Sequence, residues 1–198
     1  MLYDGLILYG PPASGKDTLT VALTECGPMY ARFERLKAGT GNMIGYRPIT
    51  PAELDQLDAQ GQILFRNDRY GNTYAIDLPT LSDHIALGQI PIVHVGQVAA
   101  VAALLEQRLR WLTVLLWCTR QVSAQRLRNR GAADVEARLT AWDETRADLL
   151  ASPCDYFVLK LRTDELSPVW AAHVIDAKAH GTDTGYIVPS DLAEIIRG

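Results

Sequence analysis

Gly10-Pro11-Pro12-Ala13-Ser14-Gly15-Lys16-Asp17-Thr18 follows the short apolar run Gly5–Tyr9 and precedes Leu19, Ala22, Leu23 and Cys26, which recur at helical spacing. The stretch fits the pattern Gly-x-x-x-x-Gly-Lys in the strand-loop-helix setting that a phosphate-binding loop requires. Gly10 and Gly15 free the backbone to curl so that its N–H groups point inward around a polyphosphate. The start of the next helix adds a positive dipole end, and Lys16 can bridge the outer phosphates. The expected nucleotide contacts are therefore Gly10, Pro11, Pro12, Ala13, Ser14, Gly15, Lys16, Asp17 and Thr18. One position departs from the pattern. Asp17 stands where a serine or threonine hydroxyl ordinarily meets Mg²⁺, and Thr18 comes one step later. Either could serve the metal, since Mg²⁺ takes few protein ligands and keeps its waters.

Outward from this loop, apolar runs alternate with helical patterns. Strands are expected at Gly5–Tyr9, 29–36, Ile90–Val95, 112–117 and 156–161. Helices are expected over 16–26, 51–60, 78–87, 98–108, 121–129, 135–150 and 168–178. Thr50 and Glu53 form a capping-box signature before the second of these helices. This alternation predicts an α/β fold, a parallel sheet covered on both faces as a three-layer sandwich. Residues 32–87 break the rhythm: a polar, glycine-rich loop over 37–45 is followed by strand-like pieces at 62–65 and 70–76. They read as an inserted mixed β/α segment. The reading is one domain, with a core of about 1–31, 88–120 and 151–178, an insert of about 32–87, a helical lid of about 121–150 and a tail of about 179–198. The tail, with a last helix over 191–196, reads as mobile.

The chain has 198 residues, 48% of them hydrophobic, and a net charge of −4. That length and composition suit one ordinary core, and the mild acidity argues against nucleic-acid binding as the main task. Cys26, Cys118 and Cys154 give neither a disulfide framework nor a zinc pattern, and Cys118 and Cys154 read as buried thiols. No stretch reads as a signal peptide or a membrane span, so a cytoplasmic protein is expected.

Two further clusters bear charge. Arg126 and Arg130 lie four apart on one helix face, with Arg138 after a short gap. Such arginines can close over a nucleotide and neutralise a transferred phosphoryl group, which is mostly what phosphoryl transfer needs. The plain alternative is a solvated basic face. Arg32, Arg35 and Lys37, with Tyr46 and Tyr70 downstream, can hold a second phosphate through charge-assisted hydrogen bonds. Here the alternative is surface charge and core tyrosines.

Taken in order, these pieces resemble the guanylate kinase family of nucleoside monophosphate kinases, from about residue 6 to 177. Gly10–Lys16 is similar to the family's phosphate loop, and Arg32–Gly39 to a shortened acceptor-phosphate turn. Tyr46 through Leu54 resembles the segment opening with an acceptor-phosphate tyrosine. Tyr70-Gly71-Asn72-Thr73 resembles the Tyr-Gly-Ser/Thr segment, whose polar residue faces the base. Arg126 through Gly131 and Arg138-Leu139 are similar to the two sides of the lid. The resemblance implies a P-loop kinase fold, ATP and Mg²⁺, and a small-molecule phosphate acceptor. Lys16, Arg126, Arg130 and Arg138 would be catalytic. Arg32, Arg35, Lys37, Tyr46, Tyr70, Asn72 and His94 would meet the acceptor. The departures are specific. Ile63-Leu64-Phe65 stands where the family places a guanine-reading carboxylate, and His94 and Gly96 stand where it has an acidic residue. Lys16-Asp17, and Tyr70-Gly71 followed by Ile76-Asp77-Leu78, look more like the ribose 1,5-bisphosphate phosphokinase branch. The Gly10-Pro11-Pro12 start is also similar to adenylate kinases. Three readings follow: a kinase with a phosphorylated ribosyl acceptor, a non-catalytic guanylate-kinase-like binding module, or an ATP-binding regulator. The oligomeric state stays open, a homodimer included.

Overall fold

The computed structural model describes residues 1–41, 43–69, 71–152, 155–189 and 192–196, without the side chains of 193 and 194. Tyr70 and Cys154, both singled out above, lie outside the described residues. The central sheet holds β1 (Gly5–Tyr9), β2 (Tyr30–Arg32), β7 (Ile90–Val95), β8 (Trp111–Trp117) and β9 (Leu159–Arg162) in the order β2-β7-β1-β8-β9. Every pairing in it is parallel. Every residue of β1 and β8 is buried, which is why these strands read as continuous apolar runs rather than alternating ones.

The period of two divides each strand between two cores. Leu6, Leu8, Leu112, Val114 and Leu116 face one side, against α1 (Lys16–Cys26) and α7 (Pro168–His180). Ile7, Tyr9, Trp111, Leu115 and Trp117 face the other, with Leu81 of α3 (Leu78–Ala86), Val101 and Leu104 of α4 (Val98–Leu105), and Trp142 and Leu149 of α6 (Val135–Ala151). The result is the three-layer arrangement expected. Each fully buried side chain of this size contributes about 1.5–3 kcal/mol relative to exposure.

The insert forms a second sheet, β4-β3-β6-β5, made of β3 (Arg35–Ala38), β4 (Tyr46–Pro48), β5 (Ile63–Arg69) and β6 (Asn72–Asp77). Leu36, Ala38 and Ala75 pack on Leu54 of α2 (Pro51–Ala59), which the expected Thr50–Glu53 capping box opens. Arg47 pairs with Asp77, whose carboxylate also accepts from Thr80 N at 3.1 Å and so caps α3.

The structure corrects several expectations. The single strand over 29–36 is two strands in two sheets. Phe33 N donates to Ile92 O at 3.0 Å and its ring is buried in the main core, so the chain leaves the first sheet there. Lys37 and Ala38 belong to a strand rather than a loop, and the polar stretch 66–69 continues β5 instead of turning. The final core strand begins at Leu159, not 156. The tail is anchored: Ile195 and Ile196 are 2% exposed within the core, Tyr186 Oη donates to Lys160 O at 2.7 Å, and Arg162 donates to Ile195 O at 3.4 Å. It covers the β9 edge, which would otherwise offer unpaired backbone groups. Among the described residues no helix is long and apolar enough to cross a membrane.

Candidate functional site

The site lies at the C-terminal ends of β1 and β7, where ligands bind in open parallel sheets. The loop from Gly10 to Gly15 wraps the Lys16 ammonium. Nζ donates to Gly10 O at 2.6 Å, Pro11 O at 2.9 Å and Ser14 Oγ at 3.3 Å. Burial pulls the Lys16 pKa down to about 8. Ala13 and Gly15 have positive φ, 59° and 94°. Such a conformation costs little at glycine and is uncommon at alanine. A Cβ at Gly10 would stand 2.3 Å from Leu116 O and 2.6 Å from Ser14 Oγ, so no larger residue fits there.

Ser14 N is used inside the loop, on Pro11 O at 3.2 Å. Among the described residues the N–H groups of Ala13, Gly15, Lys16, Asp17 and Thr18 meet no protein acceptor. These are helix-start donors and loop donors converging on one place, the arrangement that receives phosphate oxygens. A cavity of about 400 Å³ opens there, lined by Gly15, Lys16, Thr18, Arg126, Arg130 and Leu166 among others.

Asp17 and Thr18 are both exposed on the first turn of α1. Partial burial raises the Asp17 carboxyl, and the neighbouring cations Arg32 and Lys16 more than offset it, so the pKa falls overall. Arg32 Nη2 lies 2.8 Å from Asp17 Oδ1, and His94 Nδ1 lies 3.8 Å from the same oxygen. His94 Nε2 shares a 2.7 Å hydrogen bond with Thr20 Oγ1. Burial, followed by the positive charge of Lys16, pushes the imidazole down to about 3, so it is neutral. A single exposed carboxylate beside a hydroxyl suits a hydrated Mg²⁺ held mostly through waters.

The expected lid arginines divide into two kinds. Arg126 is tied to the loop and to the chain after β9: Nη1 donates to Ala13 O at 3.0 Å and Thr163 Oγ1 at 3.1 Å, and Nη2 to Thr163 O at 2.6 Å. With Ser123 Oγ on Pro12 O at 2.8 Å, it fastens α5 (Arg120–Asn129) to the loop. Arg130 lines the cavity and has no ion-pair partner among the described residues. Burial, followed by Arg138, lowers its pKa. Arg138 Nε donates to Asp134 Oδ1 at 2.6 Å. Further along, α6 is fixed: Trp142 Nε1 donates to Cys118 O at 3.3 Å, its ring stands 5.0 Å from that of Trp117, and Asp148 accepts from Val98 N at 2.7 Å.

The second sheet gathers Arg35, Lys37, Tyr46 and Asn72, four of the residues expected to meet an acceptor, on one face. Its register places Arg35 beside Tyr46, Lys37 beside Tyr74, Tyr74 beside Asn67 and Asn72 beside Arg69. Paired residues share a face, and the opposite face packs on α2. Arg35 donates to Asn67 Oδ1 at 2.7 Å and lies 5.5 Å from the Tyr74 ring centroid. Its Nε is buried with no hydrogen-bond partner, and burial lowers its pKa. Lys37 is 3% exposed, donates to Thr40 O at 2.6 Å, and stands 5.8 Å from the centroids of both Tyr46 and Tyr74. Asn72 Oδ1 accepts from Thr40 N at 2.7 Å, which ties down the loop after β3.

The structure therefore brings Arg35, Lys37 and Tyr46 together, sets Asn72 at their edge, and places Arg32 and His94 nearer the phosphate loop. Asn67, Arg69, Tyr74 and Thr163 were not anticipated. The first three were findable only from strand alternation combined with the hairpin register.

Comparison with known proteins follows this geometry. A guanylate kinase from Anaplasma phagocytophilum matches with a TM-score of 0.62 at 15% identity, over 92% of this chain and 88% of that one. The fold is that of a guanylate kinase. Shikimate kinase from Acinetobacter baumannii, solved with shikimate, matches at a TM-score of 0.47 and 14% identity over 90% and 94% of the two chains. A tunicamycin resistance protein from Deinococcus radiodurans matches at 0.46 and 19% over 91% and 97%. No family model and no curated protein matches the chain.

Proposed function

We propose that the protein is an ATP-dependent phosphotransferase that moves the γ-phosphoryl group onto a small phosphorylated acceptor, a phosphorylated ribosyl compound. The observation that carries the reading is the presence of two cation nests whose charges are both felt at His94. Lys16 sits inside a collar of loop carbonyls, and Arg35 and Lys37 sit beneath Tyr46 and Tyr74. Buried cations cost free energy unless an anion answers them, and Arg35 makes no ion pair among the described residues. Two separated nests suit a donor and an acceptor that both carry phosphate.

In this reading Lys16 exchanges the Gly10 and Pro11 carbonyls for outer phosphate oxygens, and the N–H groups of Ala13, Gly15 and Lys16 receive the rest. Mg²⁺, held by Asp17 through water or by Thr18, supplies charge neutralisation on the phosphates. The acceptor's phosphate oxygen is already anionic and attacks phosphorus in line. The bond to the bridging oxygen breaks, and ADP leaves with that electron pair. A general base has no task in such a step. Arg130, at the end of α5, and Arg138, in the first turn of α6, approach the equatorial oxygens as charge develops. Arg126 is assigned to holding the loop, because both of its terminal nitrogens already donate to Ala13 and Thr163. Any moving cover is confined to the segment before Trp142, since α6 beyond it is part of the core.

A second acceptor class is favoured by one observation. The region expected to read a base carries Ile63, Leu64 and Phe65, and Asn72 Oδ1 is occupied by Thr40 N. That suits an acceptor without a base, such as ribose 1,5-bisphosphate, as well as a nucleoside monophosphate. A non-catalytic module would have no use for Lys16 in an intact loop. The test is ADP release from ATP and Mg²⁺ with the common ribo- and deoxyribonucleoside monophosphates and ribose 1,5-bisphosphate. Acceptor-dependent release that Lys16→Ala abolishes, with an unchanged circular-dichroism spectrum, supports the reading. Wild-type turnover in Lys16→Ala, or no ATP binding by the native chain, overturns it.

A further inference from the structure

Arg69 ends β5 and approaches both α6 and the chain after β7. Its Nη2 lies 2.5 Å from Glu144 Oε2 on α6. Its Nη1 stands 3.8 Å from where a Cβ on Gly96 would be, and that same point is 3.6 Å from Gly10 O. Gly96 thus lies within van der Waals reach of both the guanidinium and the start of the phosphate loop. Arg69 shares its sheet face with Asn72, and through the hairpin register with Tyr74 and Lys37. It therefore stands between the Arg35–Lys37 nest and Lys16. Its charge is felt at both Lys16 and Tyr9.

The ion pair with Glu144 is lopsided. Arg69 is 21% exposed and Glu144 is 59% exposed. A carboxylate that open to water binds its partner weakly. A phosphate oxygen arriving in the cleft offers a stronger, charge-assisted and bidentate alternative.

Resting on the phosphotransferase reading above, we infer that Arg69 is a substrate-binding cation which exchanges Glu144 for the acceptor's phosphate, on the side of that phosphate nearest the phosphate loop. The acceptor phosphate is thereby held from both sides, by Arg35 and Lys37 beneath and by Arg69 toward the donor. This selects acceptors with a dianionic phosphate over neutral alcohols. Glu144 is the carboxylate that Arg69 would give up for the phosphate.

The experiment titrates inorganic phosphate into Lys16→Ala protein, where the phosphate loop is disabled and remaining binding reports the acceptor side. Adding Arg69→Ala is expected to weaken phosphate about tenfold to a hundredfold. Adding Glu144→Gln instead is expected to tighten it about two- to fivefold by removing the competing carboxylate. Arg69→Gln gives the same reading if the alanine variant does not fold. The inference is overturned by phosphate affinity unmoved by loss of Arg69, or by no phosphate binding in the Lys16→Ala background. It is equally overturned if Arg69 and Glu144 variants weaken binding alike, which marks the pair as a structural tie. A kinetic arm uses whichever acceptor supports ADP release. There Arg69→Gln raises the KM for acceptor and leaves that for ATP in place, and a KM for acceptor left unchanged sinks the inference. If the native chain transfers phosphoryl to no acceptor, the phosphotransferase reading fails, and the phosphate titration still decides the role of Arg69.

Discussion

Replacing Arg35 with methionine separates a residue kept for substrate from one kept for the fold. In the structure Arg35 makes one hydrogen bond, to Asn67 Oδ1 at 2.7 Å, lies 5.5 Å from the Tyr74 centroid, and leaves Nε buried without a partner. Losing the hydrogen bond costs about 1.5–3 kcal/mol, as for other bonds to charged groups. Losing the ring contact costs about 0.5–2 kcal/mol. Against this, removing a buried cation recovers several kcal/mol, and well-packed apolar replacements of buried charges are often neutral or stabilising by about 1–4 kcal/mol. The two sides nearly cancel, so the variant is expected within about 1 kcal/mol of native stability. For a chain of this size about 1 kcal/mol shifts Tm by about 2–4 °C. Asn67→Val in the same background removes the orphaned amide and recovers part of any loss. The assay is thermal melting with and without the acceptor that supports ADP release, alongside steady-state kinetics. The expected outcome is a protein of near-native Tm with acceptor kcat/KM lowered about a hundredfold or more. A fall in Tm beyond about 5 °C with modest kinetic loss refutes the reasoning, because Arg35 would then be a structural tie whose desolvation is already compensated.

Lys16, lowered to about 8 by burial, makes nucleotide binding proton-linked. Phosphate oxygens favour its charged form, so ATP binding takes up about 0.1 proton at pH 7, 0.5 at pH 8 and 0.9 at pH 9. Calorimetry in buffers of different ionisation enthalpy checks this, and zero uptake at pH 9 contradicts the enclosed ammonium. The same shift acts on the apo fold with the opposite sense to an ordinary salt-bridged lysine: the unfolded chain holds the extra proton between about pH 8 and 10.5, so this group's contribution to stability rises with pH across that window. Gly10→Ala would force its Cβ to 2.3 Å from Leu116 O, a backbone atom that cannot yield locally. Loss of ATP binding and destabilisation by about 2 kcal/mol or more are expected by titration and denaturant unfolding, and native ATP affinity would show that the loop has room. Ile195→Ala should cost about 2–4 kcal/mol in urea unfolding, since that side chain is 2% exposed in the main core. A change within 0.5 kcal/mol would mean that the tail does not contribute to the fold.

What the sequence disclosed is what local physics controls. The phosphate loop is contiguous, the buried parallel strands are unbroken apolar runs, and the Thr50–Glu53 box spans one turn, so each is readable without knowledge of distant partners. The second sheet was less legible for the same reason. Tyr30, Phe33 and Leu36 are all buried, so the spacing runs on where the chain changes sheets. Arg66-Asn67-Asp68-Arg69 is polar enough to read as a turn, yet Arg66 pairs with Asp55 at 2.7 Å on the outside while Asn67 and Arg69 face the cleft. Their shared parity with Arg35 and Lys37 becomes visible only once the hairpin register is fixed. Arg126 shows a different limit. Its spacing from Arg130 suggests a helix face, but its partners, Ala13 and Thr163, lie far away in sequence, so its contacts were not legible there.

The departure at Asp17 then acquires a physical reason. Lys16 and the Arg35–Lys37 nest are like charges, and His94 feels Lys16, Arg32 and Arg35 together. A hydroxyl at position 17 would leave that space without negative charge. The Asp17 carboxylate supplies it, drawing Arg32 to 2.8 Å at the point where β2 leaves the main sheet for the insert. His94 adds no charge of its own, because burial keeps its ring neutral while Thr20 holds its Nε2 at 2.7 Å. On the phosphotransferase reading, Asp17 would stand between the donor and acceptor sides. A Mg²⁺ held by Asp17 would share that carboxylate with Arg32 and would leave the guanidinium available to the acceptor. The aspartate would then cost the loop a ready-made hydroxyl ligand and in return link nucleotide binding to the assembly of the acceptor site.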